Sequence, residues 1–173
     1  MPHIPRMYTG VGSRKIPAEA YTTLLDYAME LNLIGFSCRT GDAAGADQAF
    51  REGTVEPIVY SPKHLLKKPE HWAYEEVKKH MPSDRYGFDN WSAFVKALLA
   101  RNMMQVLGDC GTIPSEFLLC WAPSNDYSDS SSGGTGYAIR CALAHNIPVY
   151  NLYLHIDRIE FTMFFDMLLE GEA

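Results

Sequence analysis

The sequence predicts an α/β fold of Rossmann-like architecture, an open and mostly parallel sheet of about five strands flanked by helices. Short apolar runs alternate along the chain with longer segments of helical periodicity. Most of the runs end in a turn that leads into a helix, which is typical of parallel βαβ units. The most apolar run, 117–121, reads Phe-Leu-Leu-Cys-Trp and is typical of a central strand buried on both faces.

The individual elements follow from these patterns. Strands are expected at 6–9, 36–40, 58–60, 117–121 and 149–152. The first helix is expected from Pro17, a residue suited to a first helical turn, to about Asn32. Further helices are expected at 44–52, 69–80, 91–107, 135–145 and 156–169.

Two segments depart from simple alternation. Residues 61–91 are charged and aromatic, and we interpret them as a helical insertion that packs over the edge or rim of the sheet. The last helix, 156–169, is apolar around much of its circumference, so a second copy of the chain is expected to cover it in a homo-oligomer. Residues 1–173 are otherwise expected to form one domain.

Composition, net charge and the spacing of Cys and His limit the classes of function to be considered. No run of about 18 apolar residues or secretory leader is visible, so we expect a cytoplasmic protein without a membrane partner. The formal net charge of −6 argues against nucleic acid as a partner. Cys38, Cys120 and Cys141 have apolar neighbours and are expected to be buried thiols. With no His-x-x-x-His or Cys-x-x-Cys spacing, neither a metal site nor a cofactor is predicted.

Glycine-rich loops follow three of the predicted strands, at 10–14, 40–47 and 132–136. Loops at the carboxyl ends of parallel strands form the usual ligand-binding edge of such a sheet. Glycine lets the backbone approach a phosphate, and a helix N-terminus offers free N–H groups. No loop matches a P-loop or a complete Gly-x-Gly-x-x-Gly pattern, so neither an ATPase nor a dinucleotide dehydrogenase is indicated.

Segments 12–14 (Gly-Ser-Arg), 40–47 (Thr-Gly-Asp-Ala-Ala-Gly-Ala-Asp) and 133–136 (Gly-Gly-Thr-Gly) resemble the signature loops of the SLOG superfamily. That superfamily includes the DNA-processing protein A family and the LOG-type nucleoside-monophosphate phosphoribohydrolases. The resemblance covers roughly 7–152 apart from 61–91, and is strongest to small members found in bacteriophages and their hosts. It implies that a nucleotide-derived ligand is bound by residues of these loops: Gly12, Ser13, Arg14, Gly41, Asp42, Ala44, Gly45, Asp47, Gly133, Gly134, Thr135 and Gly136.

Several roles stay open at this stage. Asp47 is expected either to accept a ribose hydroxyl or to cap its own helix. Arg39 adds a cation next to the second loop, and Asn102 is expected to line the pocket or to brace the loops. Trp121 is expected to stack on a base or to serve as a core or rim aromatic residue.

The chain also departs from the phosphoribohydrolase pattern. The glutamate expected three positions after Gly-Thr is missing, and Asp42 stands where the second loop usually has glycine. Asp42 is therefore expected to turn toward a ribose hydroxyl, a cation or solvent. The remaining candidates for a catalytic acid are Asp42, Asp47 and Glu116.

These observations rank three functions. The first is binding of a nucleotide-derived small molecule, to sense or sequester a nucleotide signal, for instance in phage counter-defence. The second is a nucleotide N-glycosidase or phosphoribohydrolase of LOG type. The third is a single-stranded-DNA-binding recombination accessory protein, which rests on fold-level analogy and opposes the net charge.

Overall fold

The computed structural model describes residues 4–171. Its five strands, all parallel, confirm the predicted Rossmann-like fold. The strands are β1 (Arg6–Gly12), β2 (Phe36–Gly41), β3 (Ile58–Tyr60), β4 (Leu118–Trp121) and β5 (Val149–Asn151). They lie in the order β3-β2-β1-β4-β5. The first strand is three residues longer than predicted because its second half, from Thr9 to Gly12, also pairs with β4.

The helices lie close to their predicted positions. They are α1 (Ala18–Leu33), α2 (Ala46–Gly53), α3 (Trp72–Lys79), α4 (Ala93–Leu107), α5 (Gly133–Ala144) and α6 (His155–Leu169). Pro17 is the N-cap of α1 rather than part of its first turn. The fifth helix begins two residues earlier than predicted, so Gly133 and Gly134 belong to its first turn.

The two faces of the sheet carry separate hydrophobic cores. Alternation along β4 directs Leu118 and Cys120 toward α4 and α5, and Leu119 toward α1, α2 and α6. On the second face, Phe117 stacks with Tyr8 at a ring-centroid distance of 5.3 Å. Both cores pack against the strands whose carboxyl ends carry the loops, and this packing holds the loops in place.

The insertion packs mainly against α4 rather than over the edge of the sheet. Its buried residues Leu65, Ala73 and Val77 belong to the same core as Met103 of α4. Of the charged residues of α3, Glu76 is buried and the others are less enclosed, so the insertion adds a layer outside the α4 face of the sheet.

One face of α6 is buried and the other is exposed. Phe161, Phe165 and Leu168 face the core. A stripe spaced three or four residues apart is 44–64% exposed: Ile156, Ile159, Met163 and Met167. The homo-oligomer expected through this helix stays a prediction. None of the helices in residues 4–171 is long and apolar enough to cross a membrane.

Candidate functional site

A cavity of about 470 Å³ opens at the carboxyl ends of β1 and β4. The strands β2 and β3 lie on one side of β1 in the sheet, and β4 and β5 lie on its other side. The order of the strands therefore reverses direction between β1 and β4. Such a switch point leaves a crevice between the diverging loops, where open α/β sheets bind ligands. All three glycine-rich loops contribute to the wall: Gly12, Ser13, Arg14 and Lys15; Ala43 and Asp47; Ser131, Ser132, Gly133, Gly134 and Thr135.

The first loop and the residue after it contribute two cations that have no partner among the described residues. The backbone N–H of Ser13 donates to the carbonyl of Trp121 at 2.9 Å, which ties the loop to the end of β4. Arg14 and Lys15 follow at once, and both are exposed at the cavity. Within residues 4–171 neither side chain has a hydrogen-bond or ion-pair partner, so both are available to an anion.

The second loop meets the first through glycine. The backbone N–H of Ala46 donates to the carbonyl of Ser13 at 3.0 Å. Gly45 has a φ of +75°, and a Cβ at this position would collide with the carbonyl oxygens of Ser13 and Arg14. Gly41 is likewise enclosed, by the side chains of Asp47, Arg101 and Gln105. These glycines support the wall without lining the cavity.

The third loop is the first turn of α5. Ser132 provides no side-chain cap there, so the N–H groups of this turn lack the usual side-chain acceptor. The amide of Asn102, itself part of the cavity wall, donates to the carbonyl of Gly134 at 3.0 Å and holds the turn against α4. Gly136 is packed under the Ser132 side chain and does not line the cavity. Ala44 is exposed and also lies outside the lining.

The floor of the cavity is polar. Gln105 is only 1% exposed, and neither polar atom of its side-chain amide has a partner among the described residues. Arg101 donates to Asp42 at 2.6 Å and to the carbonyl of Tyr60 at 3.0 Å. Asp42 therefore turns to an arginine of the protein. A buried amide without partners marks a place where water or a ligand completes the hydrogen bonding.

Burial raises the pKa of Asp47 to about 6, against the opposing effect of Arg101. Between an ordinary value near 3.9 and 6, the folded chain holds a proton that the unfolded chain has released, so stability falls as pH rises through this window. Asp47→Asn is therefore expected to stabilise the protein by up to about 3 kcal/mol at pH 7.5 and by much less at pH 4. Urea unfolding at the two pH values measures this.

The exposed Asp26 provides the matched control, because Asp26→Asn makes the same chemical change outside the buried floor. An Asp47→Asn variant that loses the same stability at both pH values would show that this carboxyl group acts through its hydrogen bonds rather than its charge.

Three predicted site residues lie away from the cavity. Arg39 points toward the C-terminal end of α4, where its guanidinium donates to the carbonyl of Ile113 at 2.6 Å. Trp121 faces the α1 side of the sheet, next to Tyr153 at 5.2 Å. Glu116 pairs with Arg6 at 2.8 Å, at the amino ends of the strands and so at the end of the sheet opposite the cavity. Among the candidate acids, only Asp47 lines the cavity.

A second cavity of about 420 Å³ adjoins the first, and sequence reasoning did not predict it. The two cavities share Gly133 and Gly134. Trp91, Val95 and Tyr137 supply its apolar lining. These residues come from the insertion, α4 and α5, so no local pattern indicates that they meet.

Comparison with known proteins gives a structural likeness only. A scan against protein-family models finds no match, and a search of curated proteins finds none. Among solved structures, the chain is similar to DNA processing protein A from Helicobacter pylori, with a TM-score of 0.53 and 17% identity. The match covers 98% of this chain and 74% of that one.

The structure of DNA processing protein A was reported for its mode of binding single-stranded DNA. The likeness supports the predicted fold and its similarity to the fold of DNA processing protein A. It also contradicts the expectation that nucleic acid is an unlikely partner, since the similar protein binds single-stranded DNA. That expectation rested on charge summed over the chain, whereas binding depends on the charge at the contact surface. The chain thus has a fold like that of DNA processing protein A.

Proposed function

We propose that this protein binds single-stranded DNA, with a backbone phosphate seated between the first loop and the first turn of α5. The observation that carries the proposal is the pairing of two uncommitted cations, Arg14 and Lys15, with an uncapped helix N-terminus at one cavity. Both features attract phosphate, and the helix N-terminus does so through backbone N–H groups of any sequence. The net charge of −6 does not oppose this, because Arg14 and Lys15 place two unpaired cations at the cavity itself.

The second cavity favours a strand over a single nucleotide. Proteins that bind single strands without sequence preference combine a cationic track with aromatic platforms for the bases. Trp91 is half-buried in the second cavity, which continues from the first across Gly133 and Gly134. Arg85 supplies a further cation there. A nucleotide next to the one held at Arg14 would therefore reach an aromatic surface.

Fluorescence anisotropy with a labelled oligothymidylate tests the proposal. We expect binding whose affinity falls steeply with salt, because phosphate contacts release counterions. An absence of binding at low salt and micromolar protein would contradict it.

Trp91→Ala is expected to weaken oligonucleotide binding about 5- to 100-fold, the range for loss of one stacked base. Phe94→Ala is a suitable control, because Phe94 is 52% exposed on α4 and lines neither cavity. Anisotropy titrations of both variants measure the difference. Equal affinities for Trp91→Ala and the unaltered chain would remove the second cavity from the interface.

A free nucleotide-derived molecule is a second candidate ligand. The unpartnered Gln105 amide at the floor favours it, since a bound base or ribose could supply the missing hydrogen bonds. A cavity of about 470 Å³ also lies within the range of small-molecule sites. Such a protein would sense or sequester a nucleotide signal. If so, a mononucleotide should bind tightly by calorimetry, compete with the oligonucleotide, and bind Trp91→Ala unchanged.

A further inference from the structure

Four potential metal ligands converge where α3 and α5 end. Glu76 and His80 are one helical turn apart at the end of α3, and Cys141 and His145 are one turn apart at the end of α5. One ligand atom from each lies within 4.8 Å of the others. The cluster is separate from the cavity of the proposed function, which lies at the other end of α5, roughly 15 Å away by helical rise.

We propose that Glu76, His80, Cys141 and His145 form a four-coordinate site for a divalent transition-metal ion, with Zn²⁺ as the best match. Thiolate, imidazole and carboxylate are the three ligand types that zinc takes in proteins, and four protein ligands are typical of a structural site. Mixed sulfur and nitrogen donors disfavour Mg²⁺ and Ca²⁺, which bind oxygen.

The geometry around Glu76 is that of a cluster with a shared centre. Its Oε1 lies 2.8 Å from His80 Nε2 and 3.0 Å from His145 Nε2, so two imidazoles converge on one carboxylate oxygen. Its other oxygen, Oε2, accepts from Lys79 at 3.0 Å. The Cys141 thiol is buried beside them and, among residues 4–171, has no hydrogen-bond partner. A cation at the centre would bind Sγ, Oε1 and both Nε2 atoms with small side-chain rotations.

The surroundings suit a bound ion. Lys79 fixes the orientation of Glu76, and the Arg140 guanidinium donates to the carbonyl of His80 at 2.7 Å. Such outer partners orient metal ligands and hold them in place. Glu76, His80 and Cys141 are buried, whereas the side chain of His145 is 40% exposed and leaves a route for the ion to enter.

This proposal departs from the expectation, drawn from the sequence, that the protein has no metal site. That expectation relied on the absence of His-x-x-x-His and Cys-x-x-Cys spacings. The chain instead has Glu-x-x-x-His at 76–80 and Cys-x-x-x-His at 141–145, which place two ligands on one helical face equally well. Neither pair of ligands indicates a metal site by itself, and only the packing of the insertion brings the two pairs together.

The proposed ion would join the insertion to α5, the helix whose first turn forms the third loop of the cavity. We therefore expect it to raise stability rather than to take part in chemistry at the cavity. Zinc added to chelator-treated full-length protein should raise the melting temperature, and mass spectrometry under native conditions should show one zinc ion per chain.

Cobalt substitution is the decisive test, because it reports the ligands directly. We expect Co²⁺ to give a thiolate-to-cobalt charge-transfer band and the intense visible bands of tetrahedral coordination. Cys141→Ala should abolish the charge-transfer band, and His145→Ala should weaken zinc binding by more than the roughly 10- to 100-fold that loss of an outer partner costs. Since His145 is exposed, this variant is expected to fold. Cys110→Ala removes the exposed cysteine and should change neither result.

Three results would overturn the proposal. They are a cobalt spectrum without a thiolate band, zinc binding that persists unchanged in Cys141→Ala, and a melting temperature of the unaltered chain that zinc does not raise. Any of them would leave Glu76, His80 and His145 as a hydrogen-bonded cluster between two helices, with the Cys141 thiol buried beside it. Oligonucleotide binding measured on the metal-free protein keeps this test independent of the proposed DNA-binding function.

Discussion

Replacing both Arg14 and Lys15 by alanine is expected to lower the affinity for single-stranded DNA roughly 100-fold or more, because each charge-assisted contact contributes about 1.5–3 kcal/mol. Both side chains lie exposed at the cavity and have no partner elsewhere in the described chain, so their loss leaves no buried charge unpaired. Folding stability should therefore change little. The plot of log K against log salt should also become less steep by about 0.7, the value for the loss of one phosphate contact on a single strand.

Anisotropy titrations at several salt concentrations measure both quantities. The matched control is the double variant Lys67→Ala and Lys68→Ala, which changes the net charge equally at exposed positions outside both cavities. We expect the control to lose only a little affinity through long-range electrostatics. Equal losses in the two double variants would mean that the cavity does not seat the phosphate.

Gly45→Ala is expected to destabilise the protein by about 2–6 kcal/mol, the sum of a strained backbone and a steric collision. The backbone at Gly45 has φ +75° and ψ −123°, a region that side chains disfavour. An added methyl group would also meet the carbonyl oxygens of Ser13 and Arg14, which cannot move without breaking the contact between the first two loops. Oligonucleotide binding should fall with stability, since Arg14 would shift.

Gly133→Ala separates the effect of backbone strain from the effect of the steric collision. Gly133 has a similar backbone, with φ +60° and ψ −149°, but no atom lies within 4 Å of an added Cβ. This variant should therefore lose only the conformational part, about 1–3 kcal/mol. Urea denaturation of the two variants gives the difference. If Gly45→Ala were no less stable than Gly133→Ala, the close approach of the loops would not contribute to stability.

The electrostatic interpretation changed most between sequence and structure. A net charge of −6 argued against nucleic acid, yet many acidic groups are already engaged in the fold. Asp42 is paired with Arg101, Glu76 with His80 and His145, and Glu116 with Arg6. A global sum does not show where on the surface the unpaired charges lie. What a ligand meets at the cavity is instead the uncompensated pair Arg14 and Lys15.

The sequence by itself determined the fold class, the five strands and the meeting of the three glycine-rich loops. Apolar periodicity is local and reports each element directly. Once the strands are parallel, their carboxyl ends share one edge of the sheet, so loops far apart in sequence must come together there.

Only the tertiary structure decided which side chains reach the cavity. Trp121 was placed away from it by the two-residue alternation of β4, and Arg39 by α4, whose C-terminal end lies far from the loops. The second cavity and the four-residue cluster around Glu76 depend on how the insertion packs against α4 and α5. Sequence periodicity shows that an element has a buried face, but not which neighbour covers it, because side-chain encounters between distant segments are set by packing.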